Sequence, residues 1–284
     1  MNILDGKVVR KSILDNVKEE LKDIDKTLGL AVISVGDDEA SKVYIRQKEK
    51  MAKELGFNFK HYKFDTNVEQ DEVLDLIDKL NLDNDIDGIL VQMPLPKHLD
   101  NNVIQNRIDP NKDVDGLTDL NAGRLIHNKD CLIPCTPLGI IEILKYYDIN
   151  IDGTNVVVVG RSHLVGKPVS NLLTNYNATV TICHSHTKNL ANFTKNADIL
   201  IAAVGKPNFI TRDMVKENAV IMDVGINRID NKLCGDVDYN GVKDKVKYIT
   251  PVPGGVGQMT VAMLGYNVKK AYKLRMKSKK RIIE

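Results

Sequence analysis

The 284-residue sequence has no apolar run close to the roughly eighteen residues that span a bilayer, and stretches such as 156–159 and 140–144 are only long enough for a core. Residues 1–20 carry charges throughout and lack the apolar centre of a signal peptide. The four cysteines form no CxxC pair and indicate reduced thiols: Cys131, Cys135, Cys183 and Cys234. These absences predict a cytoplasmic protein without a membrane partner.

The sequence also has little net charge, +2 from 40 basic and 38 acidic residues. Eight of the basic residues lie in the last sixteen positions beside a single acid, so residues 1–268 carry a net charge of −5. A mildly acidic body excludes a nucleic-acid surface spread over the fold. We expect the basic tail to be a surface helix.

Apolar, β-rich runs alternate with stretches of helical spacing, a pattern typical of parallel sheets covered by helices. The length predicts two domains. We place them at 1–120 and 121–284, with the polar segment 109–125 as the seam and a helix from about residue 260 that packs back on the first domain. Thr136 is predicted to cap a helix that has Pro137 in its first turn.

The clearest local motif, VVVVGRSHLVGKP, places a strand, a glycine turn and a helix in succession at 156–168. This order is typical of a dinucleotide site, where helix N-terminal amides face a pyrophosphate. The second glycine of GxGxxG is replaced by Ser162, whose hydroxyl could itself bond a phosphate. An ordinary tight turn between strand and helix is the alternative.

The next strand, TVTIC at 179–183, ends without the acidic residue that holds the ribose 2′-hydroxyl of NAD. Arg161 and Ser185 nearby suit a 2′-phosphate, so NADP is favoured. His184 and His186 suggest zinc, but no third ligand lies at usable spacing, and we expect no metal.

In the first half, Tyr44 and Lys48 are four residues apart on a predicted helix and therefore share one face. A tyrosine beside a lysine can tune proton transfer, although the spacing alone is weak. The pair precedes the glycine motif, which disfavours a short-chain dehydrogenase. Two loops imitate an EF-hand (111–122) and a Walker loop (253–257), but they lack the bidentate glutamate and the Gly-Lys-Ser/Thr, respectively.

Seven strings together resemble the bifunctional methylenetetrahydrofolate dehydrogenase/cyclohydrolase family, in order and at plausible spacing from about residue 3 to about 280. They are VYIRQKEK (43–50), GILVQMPLP (88–96), DPNKDVDGL (109–117), PCTPLG (134–139), VVVGRSHLVGKP (157–168), DVGIN (223–227) and TPVPGGVGQMT (250–260).

The resemblance implies an α/β protein of two domains with mainly parallel sheets, the second a Rossmann-type NADP-binding domain, and a folate cleft between them. Lys48 would be essential for the cyclohydrolase step and would be held by Gln92, while Tyr44 orients the folate and Asp115 binds the pterin edge. The other implied substrate contacts are Val91, Pro253, Gly254 and Gly255. The NADP site would comprise Gly160, Arg161, Ser162, Ser185 and Ile226.

The expected reactions belong to one-carbon metabolism. Methylenetetrahydrofolate would be oxidised by NADP to the methenyl form, which would then be hydrolysed to 10-formyltetrahydrofolate. Lys48 could act as a neutral base towards water or as a protonated donor to the leaving nitrogen, and the sequence leaves both open. The family implies a homodimer through the nucleotide domain and folates that carry polyglutamate tails. An amino-acid or shikimate dehydrogenase and a non-enzymatic nucleotide sensor are the competing interpretations.

Overall fold

The structure, a computed structural model, describes residues 2–230 and 232–283, without the side chains of Ala40 and residues 278–283. The chain forms two compact units. Unit 1 comprises residues 2–12 and 136–260, and unit 2 comprises residues 13–135 and 261–283. The predicted two-domain α/β fold with parallel sheets is confirmed, while the placement of functional domains at 1–120 and 121–284 stays a prediction.

The strands, in chain order, are β1 (Asn2–Ile3), β2 (Gly29–Val35), β3 (Asn58–Phe64), β4 (Gly88–Val91), β5 (Asn155–Val159), β6 (Thr179–Cys183), β7 (Ile199–Ala202), β8 (Val220–Asp223), β9 (Asn227–Ile229), β10 (Lys232–Cys234) and β11 (Tyr248–Ile249).

The α-helices are α1 (Gly6–Leu21), α2 (Glu39–Leu55), α3 (Gln70–Leu82), α4 (Asn101–Arg107), α5 (Asp119–Ile126), α6 (Cys135–Tyr146), α7 (Gly166–Asn175), α8 (Leu190–Thr194), α9 (Tyr239–Val242) and α10 (Met259–Ile283). Short 3₁₀ turns lie at Arg212–Met214 and Val256–Gln258. Within the described residues, none of the helices combines the length and the apolar character that a membrane crossing requires.

Unit 1 contains a parallel sheet in the order β1-β11-β8-β7-β5-β6. Its central strands are apolar along their length because helices cover both faces, as the buried β5, β7 and β8 show. The chain runs from β5 outward to β6 and then returns to β7 on the other side of β5. This reversal creates a switch point at the carboxyl ends of β5 and β7, where open α/β sheets bind ligands.

Unit 2 contains a three-stranded parallel sheet in the order β3-β2-β4. Every residue of β2 is buried, and one face of the sheet packs against α3 and α4 through residues such as Ile33, Ile77 and Ile104. Helix α2 begins where the Asp38 carboxylate accepts the N–H of Ser41, a conventional N-cap. The segment 109–125, expected as a seam, is folded into this unit and includes part of α5.

The predicted cap of α6 is wrong. The helix begins at Cys135, one residue before the expected cap, and the Thr136 hydroxyl forms a 2.8 Å hydrogen bond with the hydroxyl of Thr260. A threonine followed by proline is a local signal for a helix start. It could not reveal that a partner 124 residues away would bind the hydroxyl.

Candidate functional site

Lys48 and Gln92 form the centre of a polar site in unit 2. Helix α2 places the lysine, and the turn after β4 places the glutamine. The Lys48 Nζ donates a 2.7 Å hydrogen bond to the Gln92 Oε1, and both side chains are more than nine-tenths buried. The Gln92 Nε2 donates to the carbonyl of Met93 at 2.8 Å, which orients the amide so that its oxygen faces the lysine.

Burial lowers the pKa of Lys48 below its usual range, and the charge of Asp115 opposes the shift. A carboxylate therefore lies close to this amine, but its attraction for the charged form is weaker than the effect of desolvation. A lowered pKa favours the neutral amine, which can accept a proton from a ligand or from water. The arrangement can hold and move a proton at Nζ.

Asp115 lies in a turn fixed by Asp113, which is fully buried. The carboxylate of Asp113 accepts the N–H of Thr118 at 2.8 Å and the side-chain amides of Asn121 at 3.0 Å and Gln105 at 3.2 Å. Asp115 itself is only partly buried. The anchored turn therefore presents an acceptor-only carboxylate that suits paired N–H donors of a ligand.

Tyr44 lies one helical turn before Lys48 and is 42% exposed, so its ring is available to a flat ligand. Val91 differs because its side chain is 2% exposed and belongs to the core of unit 2. Any contact of Val91 with substrate would fall to its backbone.

Cys135 is a member of this neighbourhood that the sequence analysis missed. Burial, followed by the charge of Asp115, raises its pKa well above the usual range, and its thiol donates to the carbonyl of Val114 at 3.5 Å. The string PCTPLG contributed only to the resemblance. A thiol 87 residues from Lys48 in sequence gives no local signal of its position.

In unit 1, the residues predicted for the cofactor follow different strands of one sheet. Gly160, Arg161 and Ser162 come after β5, Ser185 after β6 and Ile226 after β8. Since carboxyl ends of parallel strands share an edge, the structure brings these residues to the edge that contains the switch point. Pro253, Gly254 and Gly255 follow β11 at the same edge.

The turn after β5 fits the phosphates of a dinucleotide. Gly160 has φ +133°, and a Cβ there would lie 2.2 Å from the carbonyl oxygen of Ala203. In the described structure, the N–H groups of residues 161–164 donate to no protein group and remain available to an anion. The hydroxyl oxygen of Ser162 accepts the N–H groups of Val165 and Gly166 and thereby closes the start of α7, while its O–H can still donate to a phosphate oxygen.

Arg161 lies close enough to the turn after β6 for its charge to affect the pKa of His184. Desolvation lowers the pKa of His184, and the charges of Arg161 and His186 add to the shift. The guanidinium is exposed and the adjacent Ser185 is exposed as well. This corner can accept a phosphate.

Both halves of the chain match one protein family. The family model for the tetrahydrofolate dehydrogenase/cyclohydrolase catalytic domain matches residues 4–115, and the model for the NAD(P)-binding domain of the same family matches residues 134–276. A protein named Bifunctional protein FolD from Campylobacter concisus is 54% identical over 268 residues, covering 93% of this chain and 95% of the relative. The FolD protein of Bacillus subtilis is 50% identical over 275 residues, covering 95% and 97%.

Solved structures of FolD enzymes are also similar to this chain. The bifunctional FolD enzyme of Campylobacter jejuni has a TM-score of 0.94 at 44% identity, covering 96% of this chain and 99% of that one. FolD of Trypanosoma brucei, solved with NADP and an inhibitor, has a TM-score of 0.90 at 33% identity, covering 96% and 98%. Shikimate dehydrogenase of Thermus thermophilus, at 12% identity, a TM-score of 0.53 and coverage of 86% and 100%, shares the fold alone.

Proposed function

Because the chain belongs to the tetrahydrofolate dehydrogenase/cyclohydrolase family, we propose how its residues divide the two reactions of that family. The protein oxidises 5,10-methylenetetrahydrofolate with NADP and hydrolyses the methenyl product to 10-formyltetrahydrofolate. The observation that carries the proposal is the buried hydrogen bond between Lys48 and Gln92. Tyr44, Lys48, Gln92 and Asp115 of unit 2 bind the folate, and the residues of unit 1 bind the nucleotide except for Pro253, Gly254 and Gly255, which contact the folate.

For the oxidation, NADP when bound supplies the acceptor for the hydride at its nicotinamide C4. The protein's own task is orientation. The free N–H groups of residues 161–164 hold the phosphates, Arg161 and Ser185 hold the 2′-phosphate, and Ile226 covers the cofactor. Tyr44 and Asp115 fix the folate, assisted by the backbone of Val91 and by the turn at Pro253, Gly254 and Gly255.

For the hydrolysis, Lys48 handles the proton of the attacking water. Burial favours its neutral amine, and a cationic methenyl substrate would favour that form further. Gln92 keeps the Nζ in place through its oxygen. A protonated Lys48 that donates to the departing ring nitrogen is the alternative. The two roles predict opposite pH profiles, since the hydrolysis rate rises with pH for a neutral base and falls for a proton donor.

The test is Lys48→Met. Hydrolysis of methenyltetrahydrofolate, followed by its absorbance, should fall by about 10²-fold or more, as expected for loss of general acid–base catalysis. NADPH formation from the methylene substrate should persist in part. Lys53→Met is the control, because Lys53 lies on the same helix and is 74% exposed beside Glu49. Hydrolysis at the wild-type rate by the Lys48 variant would refute the assignment.

The proposal includes the oligomeric state of the protein. A homodimer through unit 1 is supported by apolar side chains on the β9–β10 hairpin, where Ile229 and Leu233 are each about 40% exposed. Light scattering that gives the mass of one chain would contradict it.

The four free cysteines support a reducing compartment such as the cytoplasm. Folates with polyglutamate tails are the proposed physiological substrates.

A further inference from the structure

Two buried aspartates lie behind the nucleotide edge of unit 1. Asp223 is the last residue of β8 and Asp236 follows β10, and they are 4% and 0% exposed. No salt bridge joins either carboxylate to a cation within the described residues, including the hairpin on both sides of position 231. Buried carboxylates are costly unless their oxygens are fully hydrogen-bonded. Their bonding partners therefore indicate what they hold.

Asp236 holds the loop that follows β7. Its Oδ2 accepts the N–H groups of Val204 at 2.6 Å and Gly205 at 3.0 Å, and its Oδ1 accepts that of Lys206 at 2.9 Å. Three successive N–H groups pointing at one anion form a nest of the kind that binds phosphates in other proteins. Here the carboxylate of Asp236 occupies the nest, so a side chain of the protein and not a ligand fixes the conformation of this loop.

The same carboxylate also reaches the loop that follows β8. The side-chain amide of Asn227 donates to its Oδ1 at 2.8 Å, and Asn227 directly follows Ile226. A single side chain therefore ties together the loops after β7 and β8, both at the carboxyl edge of the sheet. The first of these loops contains Ala203, which touches the turn at Gly160.

Asp223 in turn positions Asp236. Its carboxylate accepts the N–H groups of Asp236 at 2.9 Å and Val237 at 3.1 Å. Two glycines make this packing possible, since a Cβ on Gly225 would lie 2.1 Å from an oxygen of Asp236 and one on Gly235 would lie 1.8 Å from an oxygen of Asp223.

We propose that Asp236 is a positioning residue for hydride transfer, which holds the loops after β7 and β8 in the shape that binds the nicotinamide nucleotide without touching that nucleotide. The inference rests on the proposed placement of NADP at this edge. An amide could not replace the carboxylate, because asparagine offers one acceptor oxygen and would turn N–H groups towards N–H groups.

The test is Asp236→Asn. We expect the KM and Kd for NADP to rise at least about tenfold, since more than one hydrogen bond to a charged acceptor is lost. Hydrolysis of preformed methenyltetrahydrofolate without NADP should stay within twofold of wild type, which shows that the variant is folded. If Asp236→Asn cannot be purified, Asn227→Ala removes a single bond and should raise the KM for NADP about threefold. An unchanged KM in the variant studied, or equal loss of both activities, overturns the inference.

The matched control is Asp198→Asn. Asp198 precedes β7 at the opposite edge of the same sheet and likewise accepts a backbone N–H, that of Asn155 at 2.9 Å. This variant should lower the Tm and leave the KM for NADP unchanged. Arg161→Ala distinguishes failure of the positioning role from failure of the nucleotide site. A rise in its KM for NADP with none for Asp236→Asn refutes only the positioning role, whereas no rise for either variant refutes the nucleotide site itself.

Discussion

Arg161 is the residue that we expect to set cofactor preference. Its exposed guanidinium follows the glycine turn, and its charge is felt at His184 beside Ser185. Guanidinium groups bind phosphates with paired hydrogen bonds, so Arg161→Ala should raise the KM for NADP by about 10- to 100-fold and change that for NAD far less. Steady-state kinetics with both cofactors measure this. Arg212→Ala, another exposed arginine of unit 1, is the control, and equal losses for both cofactors would remove the role.

Asp223 should make stability depend on pH. Burial raises its pKa to about 7, with the charge of Asp236 adding to this rise and backbone hydrogen bonds opposing it. Between pH 4 and 7 the folded protein keeps a proton that the unfolded chain has lost, so the free energy of unfolding falls progressively across this window and falls no further from this group above pH 7. Because a tenfold change in proton affinity corresponds to about 1.4 kcal/mol, the loss of unfolding free energy is on the order of 2–4 kcal/mol.

Asp223→Asn removes this titrating group. In urea unfolding, the wild type should lose unfolding free energy between pH 5 and pH 8. The Asp223→Asn variant should lose about 2–4 kcal/mol less over the same interval. Parallel pH dependence of the two proteins would contradict the assignment.

Single residues differ in how far the sequence reveals them. The spacing of Tyr44 and Lys48 is enough to predict a shared helix face, and the strand–glycine–helix pattern is enough to place Gly160 at a ligand edge. The partners of Lys48 are not locally encoded, because Gln92 is 44 residues away. Asp236 gave no signal at all, since its role depends on four hydrogen bonds to two distant loops.

Among the elements, strands made of dense apolar or β-branched runs were the most predictable, including the edge strand β6, whose bounds match the predicted 179–183. The apolar runs Val156–Val159 and Val220–Val224 predict strands that differ from β5 and β8 by one residue, and helical spacing over Glu39–Leu55 predicts the bounds of α2. Strand β3, with the sequence NFKHYKF, was missed because lysine and histidine side chains interrupt its apolar residues and remain partly exposed. The short β9–β10 hairpin was missed because two three-residue strands carry too little periodicity.

A buried asparagine helps to hold helix α10 in its unit. The side-chain amide of the fully buried Asn267 donates to the carbonyls of Val114 and Ile133, each at 2.8 Å. Asn267→Ala should lower the free energy of unfolding by about 2–3 kcal/mol, because two buried carbonyls lose their donor. Chemical denaturation measures the loss, and Asn240→Ala, on the exposed side of α9, is the control. A change below about 0.5 kcal/mol would show that the anchor is dispensable.

At the scale of the molecule, four of the eight basic residues in the last sixteen positions form ion pairs within unit 2. Lys269 and Lys273 pair with Glu20, Lys270 pairs with Asp130, and Arg275 pairs with Asp87. The side chains of Lys279, Lys280 and Arg281, and Glu284 altogether, lie outside the described residues. The charge asymmetry of the sequence therefore serves in part to attach α10 to its own unit.

Deletion of residues 277–284 should leave the KM for polyglutamylated methylenetetrahydrofolate unchanged at low salt, because a solvated helix end makes no contact with the substrate. Kinetics at low and high ionic strength with mono- and polyglutamylated substrates provide the measurement. A KM that rises only for the polyglutamylated form, and only at low salt, would show that the tail attracts the substrate.

The order of segments in the two units has a consequence for synthesis. Residues 13–135 emerge from the ribosome early, but α10, which completes their unit, follows the whole of residues 136–260. Asn267 cannot reach the carbonyls of Val114 and Ile133 until then. Unit 2 therefore lacks the contacts of α10 while residues 136–260 are translated, and we expect its incomplete core to be the stage of synthesis most exposed to aggregation.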